Sequence, residues 1–130
     1  MTDRELLELA AKAAGIHVPE ESPWGGVNAT DGVWKDISPG GDGTRHSRWN
    51  PLTEDGDALR LAVKLELAPS IFATSGLTFC TATNKPMSEV NIEEEHNGDP
   101  YAATRRAIVR AAAEIAKAGE PKCVVEKVSG

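Results

Sequence analysis

Apolar residues keep a helical period in three stretches of this chain and gather into short extended runs between the last two. The stretch after Pro51 shows the pattern best. Ala58, Leu61, Ala62 and Leu65 fall at i, i+3, i+4 and i+7 on one helical face. Leu59 and Val63 widen the apolar stripe, and Arg60 and Lys64 point away from it. Asn50 or Thr53 is placed to cap the helix, depending on whether Pro51 takes the first helical position. Glu54, Asp55 and Asp57 put negative charge at the positive end of the helix dipole. Gly56 weakens the helix by up to about 1 kcal/mol relative to alanine. Pro69 disfavours helical geometry in the residue before it, so the helix ends earlier.

Residues 2–14 form a first helix in the same way. Thr2 and Glu5 have capping-box spacing, Leu6, Leu9, Ala10 and Ala13 make the buried face, and Gly15 terminates it. Residues 99–118 form the longest helix, with Asp99 as cap and Pro100 in the first position. Thr104, Ile108, Ala111, Ala112 and Ile115 face the core, Tyr101 extends that stripe, and Arg106 and Arg110 lie outward. Between these helices, residues 69–93 read as an antiparallel meander. Strands at 71–74, 77–83 and 87–92 are rich in Thr, Phe and branched residues, with turns at Ser75-Gly76 and Asn84-Lys85-Pro86. Leu77, Phe79 and Thr81 share one face, with Thr78, Cys80 and Ala82 on the other.

Residues 16–48 are the least regular part, punctuated by proline and glycine. Short extended pieces are expected at 27–29 and 33–37, with Asp31-Gly32 as a turn. Gly40-Gly41-Asp42-Gly43 makes a loop without the P-loop signature. Val124, Val125 and Val128 form a terminal strand or a tail that docks on another subunit. The expected fold class is α+β, an antiparallel β-meander packed with about three helices in one domain.

Composition narrows the function. With 130 residues and a net charge of -6, the chain suits one modest core. It does not suit general coating of duplex DNA, which calls for clustered Lys and Arg. No apolar run approaches the roughly 20 residues that span a membrane. Asp3, Arg4, Glu5 and Glu8 interrupt any leader-like run, so a cytoplasmic protein is expected. Cys80 and Cys123 are too few for a disulfide scaffold.

Trp49-Asn50-Pro51-Leu52, the helical run from Asp57 to Leu65, and the run from Asp99-Pro100-Tyr101 to Ile115 together resemble the small phage and prophage "ABA sandwich" proteins, themselves similar to NinX-type phage proteins. The resemblance covers the first helix and residues 49–117. Residues 19–48 depart from it as an irregular Gly/Pro-rich insertion. It implies a small sandwich of phage origin, acting in the host cytoplasm, and no established catalytic mechanism.

Arg45, His46, Arg48 and Trp49 form a cationic and aromatic cluster. Arginine offers a planar fork for phosphate or carboxylate, tryptophan a face for a base or a cation, and the following helix start adds backbone donors. The alternative is a solvated loop with Trp49 anchored in the core. Trp24 and Trp34 stack a ligand or plug a small core. Arg105, Arg106 and Arg110, with Tyr101 one turn earlier, close a pocket over an anion, or else the arginines pair with the acidic excess. Glu93-Glu94-Glu95-His96 reads as a solvated acidic run on a loop rather than a metal site. No nucleophile or general base stands out, and Cys80 lies in an apolar strand, where thiols are inert. No cofactor or metal is expected.

The expectation is therefore a non-enzymatic phage accessory protein that binds and sequesters a small anionic, nucleotide-like ligand, such as a cyclic nucleotide, against host defence signalling. The alternatives are a protein-partner inhibitor of a host enzyme and an accessory factor in phage recombination or replication. The Val-rich tail and Ala-rich last helix suit a homo-oligomer.

Overall fold

Thr2 and Glu5 close the first helix as their spacing predicts. In α1 (Asp3–Ala14) the Glu5 N–H donates to Thr2 Oγ1 at 3.2 Å and the Thr2 N–H donates to Glu5 Oε1 at 2.8 Å. Gly15 ends the helix at φ 77°, the left-handed conformation that glycine adopts without a Cβ clash. This computed structural model describes residues 2–16, 27–28, 32–36, 46–84 and 90–118, through the backbone alone at 27–28, 32–36 and 46–47.

The architecture is α+β, with three helices and two three-stranded antiparallel sheets among the described residues. The first sheet orders β1 (Val27–Asn28), β2 (Gly32–Asp36) and β3 (His46–Trp49). The expected pieces at 27–29 and 33–37 correspond to β1 and β2, while Ala29, Asp31, Ile37, the 40–43 loop and the tail lie outside the described residues. β3 is a correction. His46 to Trp49 form a strand paired with β2, where local sequence suggested a loop, because only Trp49 among the four is apolar and the pairing is non-local.

The second sheet is the meander: β4 (Leu67–Phe72), β5 (Leu77–Ala82) and β6 (Asn91–Glu95), in that order. Thr78, Cys80 and Ala82 face the core and Leu77, Phe79 and Thr81 the other side, as alternation predicts. Two boundaries move. β4 begins at Leu67, directly after the central helix, so Pro69 sits within a strand. That position is tolerable because β4 is an edge, where a missing N–H need not break a ladder. β6 falls later than 87–92 and carries Glu93, Glu94 and Glu95, so the acidic run is strand rather than loop.

α2 (Asp55–Leu65) buries Ala58, Leu61 and Ala62 as its period requires. Leu59 and Val63 do not widen the buried stripe; they are 63% and 70% exposed, on the side of the helix away from the core. Neither Asn50 nor Thr53 is its N-cap. Glu54 holds that position without a side-chain cap.

α3 (Pro100–Ala118) starts as expected, with the Ala102 N–H donating to Asp99 Oδ1 at 3.1 Å. Its buried residues Ala103, Ala107, Ile108, Val109, Ala111, Ala112, Ala113 and Ala116 span most of its circumference. One side packs on the meander and the other on α1 and α2, with Arg106, Arg110, Glu114 and Lys117 forming the polar strip between. Alanine suits a helix packed on both sides, because larger side chains would hold the layers apart. The buried alanines thus serve the chain's own core and are not available to an interface. Tyr101 lies past the end of the buried stripe, 71% exposed, rather than extending it. A continuous cluster joins α1, Trp49, α2, the meander and α3.

Candidate functional site

Trp49, Asn50 and Pro51 are all buried, and each has a structural task. Trp49, at 4% exposure, belongs to the core. The Asn50 carbonyl accepts from the Thr53 N–H at 3.2 Å and the Glu54 N–H at 2.9 Å, and its side-chain Oδ1 accepts from the Leu52 N–H at 3.1 Å. The Asn50 N–H in turn donates to Asp57 Oδ2 at 3.0 Å. One asparagine therefore folds the corner, and Asp57 locks that corner onto the first turn of α2. Arg105 holds it from α3, donating through Nε to the Leu52 carbonyl at 2.8 Å and through Nη1 to Asp55 Oδ1 at 2.6 Å.

A groove opens beside this corner. It has a volume of about 570 Å³ and is lined by Arg48, Asn50, Thr53, Glu54, Gly56, Asp57 and Arg60. A second hollow of about 460 Å³ shares Arg48, Asp57 and Arg60 and extends to Trp49 and Lys64. Arg48 and Arg60 thus border the groove against Glu54 and Asp57, Lys64 lining only the second hollow, and Asp57 already accepts from Asn50 and, at 3.2 Å, from Arg60 Nη1. Arg60 lies across the helix start: a Cβ on Gly56 would come within 3.2 Å of Arg60 Nη1. The first intrahelical bond is made by the Ala58 N–H, so the N–H groups of residues 55 to 57 precede the helical ladder. Backbone donors at the positive end of a helix, with arginine forks beside them, are a setting that favours a phosphate or carboxylate.

The sequence candidates divide on this geometry. Arg48 lines the groove, and Trp34 is its register partner on β2. His46 is the register partner of Asp36. Trp24 and Arg45 lie outside the described residues. Trp49 borders the second hollow from the core. Arg105 and Arg106 do not gather over a common ligand with Tyr101. Arg105 is held on the corner, and Arg106 pairs with Asp3 at 2.6 Å. Arg110 pairs with Glu94 on β6. These arginines tie α3 to the corner, α1 and the meander, which is the charge-pairing alternative.

Sequence reading did not single out Gly56, Asp57 and Arg60 as one unit. A signal was available: Asp57 and Arg60 at i, i+3, with Gly56 four residues before Arg60, place a carboxylate, a guanidinium and a bare backbone together on one helix start. His96 is a correction: the expectation placed it in a solvated acidic run, and it is buried. It is 8% exposed, with Nε2 at 2.8 Å from the buried Thr78 hydroxyl, which lies 3.2 Å from Thr104 Oγ1. No local pattern links residues so far apart in sequence.

Burial pushes the Cys80 thiol up to about 12, which leaves it protonated and unreactive. Among the described residues no three His, Cys, Asp or Glu side chains converge as metal ligands, and no helix is long and apolar enough to cross a membrane. Compared with protein-family models, with curated proteins and with solved structures, the chain matches none.

Proposed function

We propose that this chain is a non-enzymatic binding protein that holds a small anionic, nucleotide-like ligand in the groove between β3, the Asn50 corner and α2. The observation that carries the reading is the convergence of Arg48, Arg60 and the uncapped start of α2 on one groove of about 570 Å³, within the volume range of small-molecule sites. Arg48 and Arg60 offset Glu54 and Asp57 in the groove, which makes it less acidic than the chain as a whole. In this reading Arg60 grips a phosphate, Arg48 takes a second anionic group, and the N–H groups at the helix start complete the cradle. Asp57 keeps Arg60 in place.

The resemblance to phage ABA-sandwich and NinX-like proteins supplies the setting. The protein sequesters a nucleotide signal, such as a cyclic nucleotide, in the host cytoplasm and blunts a defence response. Titration calorimetry with mononucleotides and cyclic dinucleotides tests this directly. Heat with at least one of them is expected, lost in Arg60→Ala; silence across the panel defeats the reading. A homo-oligomer is part of the proposal through the Val-rich stretch at 124–128. Light scattering at micromolar concentration should return more than the chain mass of 13.8 kDa.

A further inference from the structure

The second hollow beside the corner, of about 460 Å³, differs from the first groove in two ways. It has an apolar wall, built from Ala14 and Ile16 at the end of α1, Trp49 on β3 and Leu61 on α2. Its charge balance is also more positive. Among the described residues Arg48, Arg60 and Lys64 stand there against the one carboxylate of Asp57, whereas in the first groove Arg48 and Arg60 meet both Glu54 and Asp57.

Both features have a local origin. The Gly15 N–H donates to the Lys12 carbonyl at 3.2 Å and the Ile16 N–H to the Ala11 carbonyl at 2.9 Å, the paired bonds that close a helix on a left-handed residue. That turn fixes Ile16 at the rim of the hollow, half-buried against the core. On α2, Asp57, Arg60, Leu61 and Lys64 recur at three- and four-residue spacing and so lie along one side of the helix. Leu61 lines the hollow from the core, while Arg60 and Lys64 are exposed at its mouth. The hollow shares Arg48, Asp57 and Arg60 with the first groove, so one small molecule reaches both. A phosphate alone would leave the apolar wall in water. A flat ring system carried on the same molecule would cover it, and small-molecule sites combine such a wall with a few placed polar groups.

We propose that the second hollow seats a ring system attached to the anion held by Arg48 and Arg60, so that the ligand class is a nucleoside phosphate rather than inorganic phosphate or a sugar phosphate. The ring lies against Ile16, Trp49 and Leu61, and the Lys64 ammonium donates to an acceptor on its edge. The inference rests on the reading of the neighbouring groove as an anion site and adds what that anion is attached to.

Titration calorimetry on the full chain compares adenosine, guanosine and uridine monophosphates and a cyclic dinucleotide with ribose phosphate. At least one of the nucleotides should bind about 10-fold or more tightly than ribose phosphate, the gain from covering the apolar wall. Arg60→Ala should weaken both kinds of ligand. Ile16→Ser should weaken the nucleotide severalfold and leave ribose phosphate as in wild type, and Lys64→Ala should narrow the same ratio. If circular dichroism shows that Ile16→Ser unfolds the chain, Lys64→Ala decides. Ribose phosphate binding as tightly as every nucleotide, or a ratio that neither substitution moves, would overturn the ring seat; the anion site would still stand if Arg60→Ala weakened both kinds. If none of these compounds binds the wild type, the ring seat falls together with the anion site on which it rests.

Discussion

Asp57 is the residue on which the corner depends, and replacing it with alanine measures how much. One carboxylate oxygen accepts the Asn50 N–H at 3.0 Å, in a residue only 4% exposed. Removing it takes from that N–H its hydrogen bond to a charged acceptor, a loss of about 1–3 kcal/mol. The same carboxylate sits in the first turn of α2, where negative charge contributes about 0.3–1 kcal/mol through the helix dipole. Its pair with Arg60 adds little, because Arg60 is 76% exposed. Asp57→Ala should therefore cost about 2–3 kcal/mol, read as a shifted midpoint in urea unfolding with an unchanged slope. Asp57→Asn keeps an acceptor for Asn50 and should lose roughly half as much. A change within about 0.5 kcal/mol of wild type for Asp57→Ala would refute the corner as described, since that is the range of surface substitutions.

Four further outcomes follow from other parts of the fold. Gly56→Ala should gain about 0.5–1 kcal/mol in urea unfolding through helix propensity, yet weaken nucleotide binding in calorimetry, because the new Cβ must displace Arg60. The Thr2 backbone N–H, and then its hydroxyl, lower the Glu5 carboxyl below its ordinary value of 4.5. The capping box thus contributes fully above that value and is lost as the pH falls through the lowered one, so the stability gap between wild type and Glu5→Ala should close in acid urea titrations. In a Cys123→Ser background, Cys80 should resist thiol reagents in the folded chain and react fully once urea unfolds it; rapid labelling of the native protein would contradict its burial. Ala111→Leu should destabilise by about 1–3 kcal/mol through overpacking between the layers, and thermal unfolding unchanged from wild type would show a looser α3 than described.

The helices were legible because their signals are local. Thr2 with Glu5, Gly15, and Asp99-Pro100 each act within a turn, and the spacing of Ala58, Leu61, Ala62 and Leu65 names a face without reference to the rest of the chain. Extending that face to Leu59 and Val63 failed because hydrophobicity alone does not say how wide a partner surface is. Only a narrow stripe of α2 meets α3 and β4. β3 was invisible for a different reason: a four-residue strand with one apolar residue takes its identity from β2, its partner in the sheet. The candidate site divides in the same way. Composition singles out Arg48 and Trp49 as candidates, but the groove depends on how the Asn50 corner folds back onto Asp57, an arrangement of backbone bonds that residue types do not announce. Tyr101, Arg105 and Arg106 were grouped by proximity along the helix, whereas successive helical positions face different neighbours, and the three reach different parts of the fold.

The claim that Arg48 and Arg60 frame a site for a small anion is tested most directly by native mass spectrometry of the wild-type chain and of Arg60→Ala, each purified rapidly from the cells in which it acts. The wild type should carry a small anionic adduct that releases on denaturation, and Arg60→Ala should run at the bare chain mass. Two spectra that match, whether both bare or both carrying the same adduct, would contradict the account.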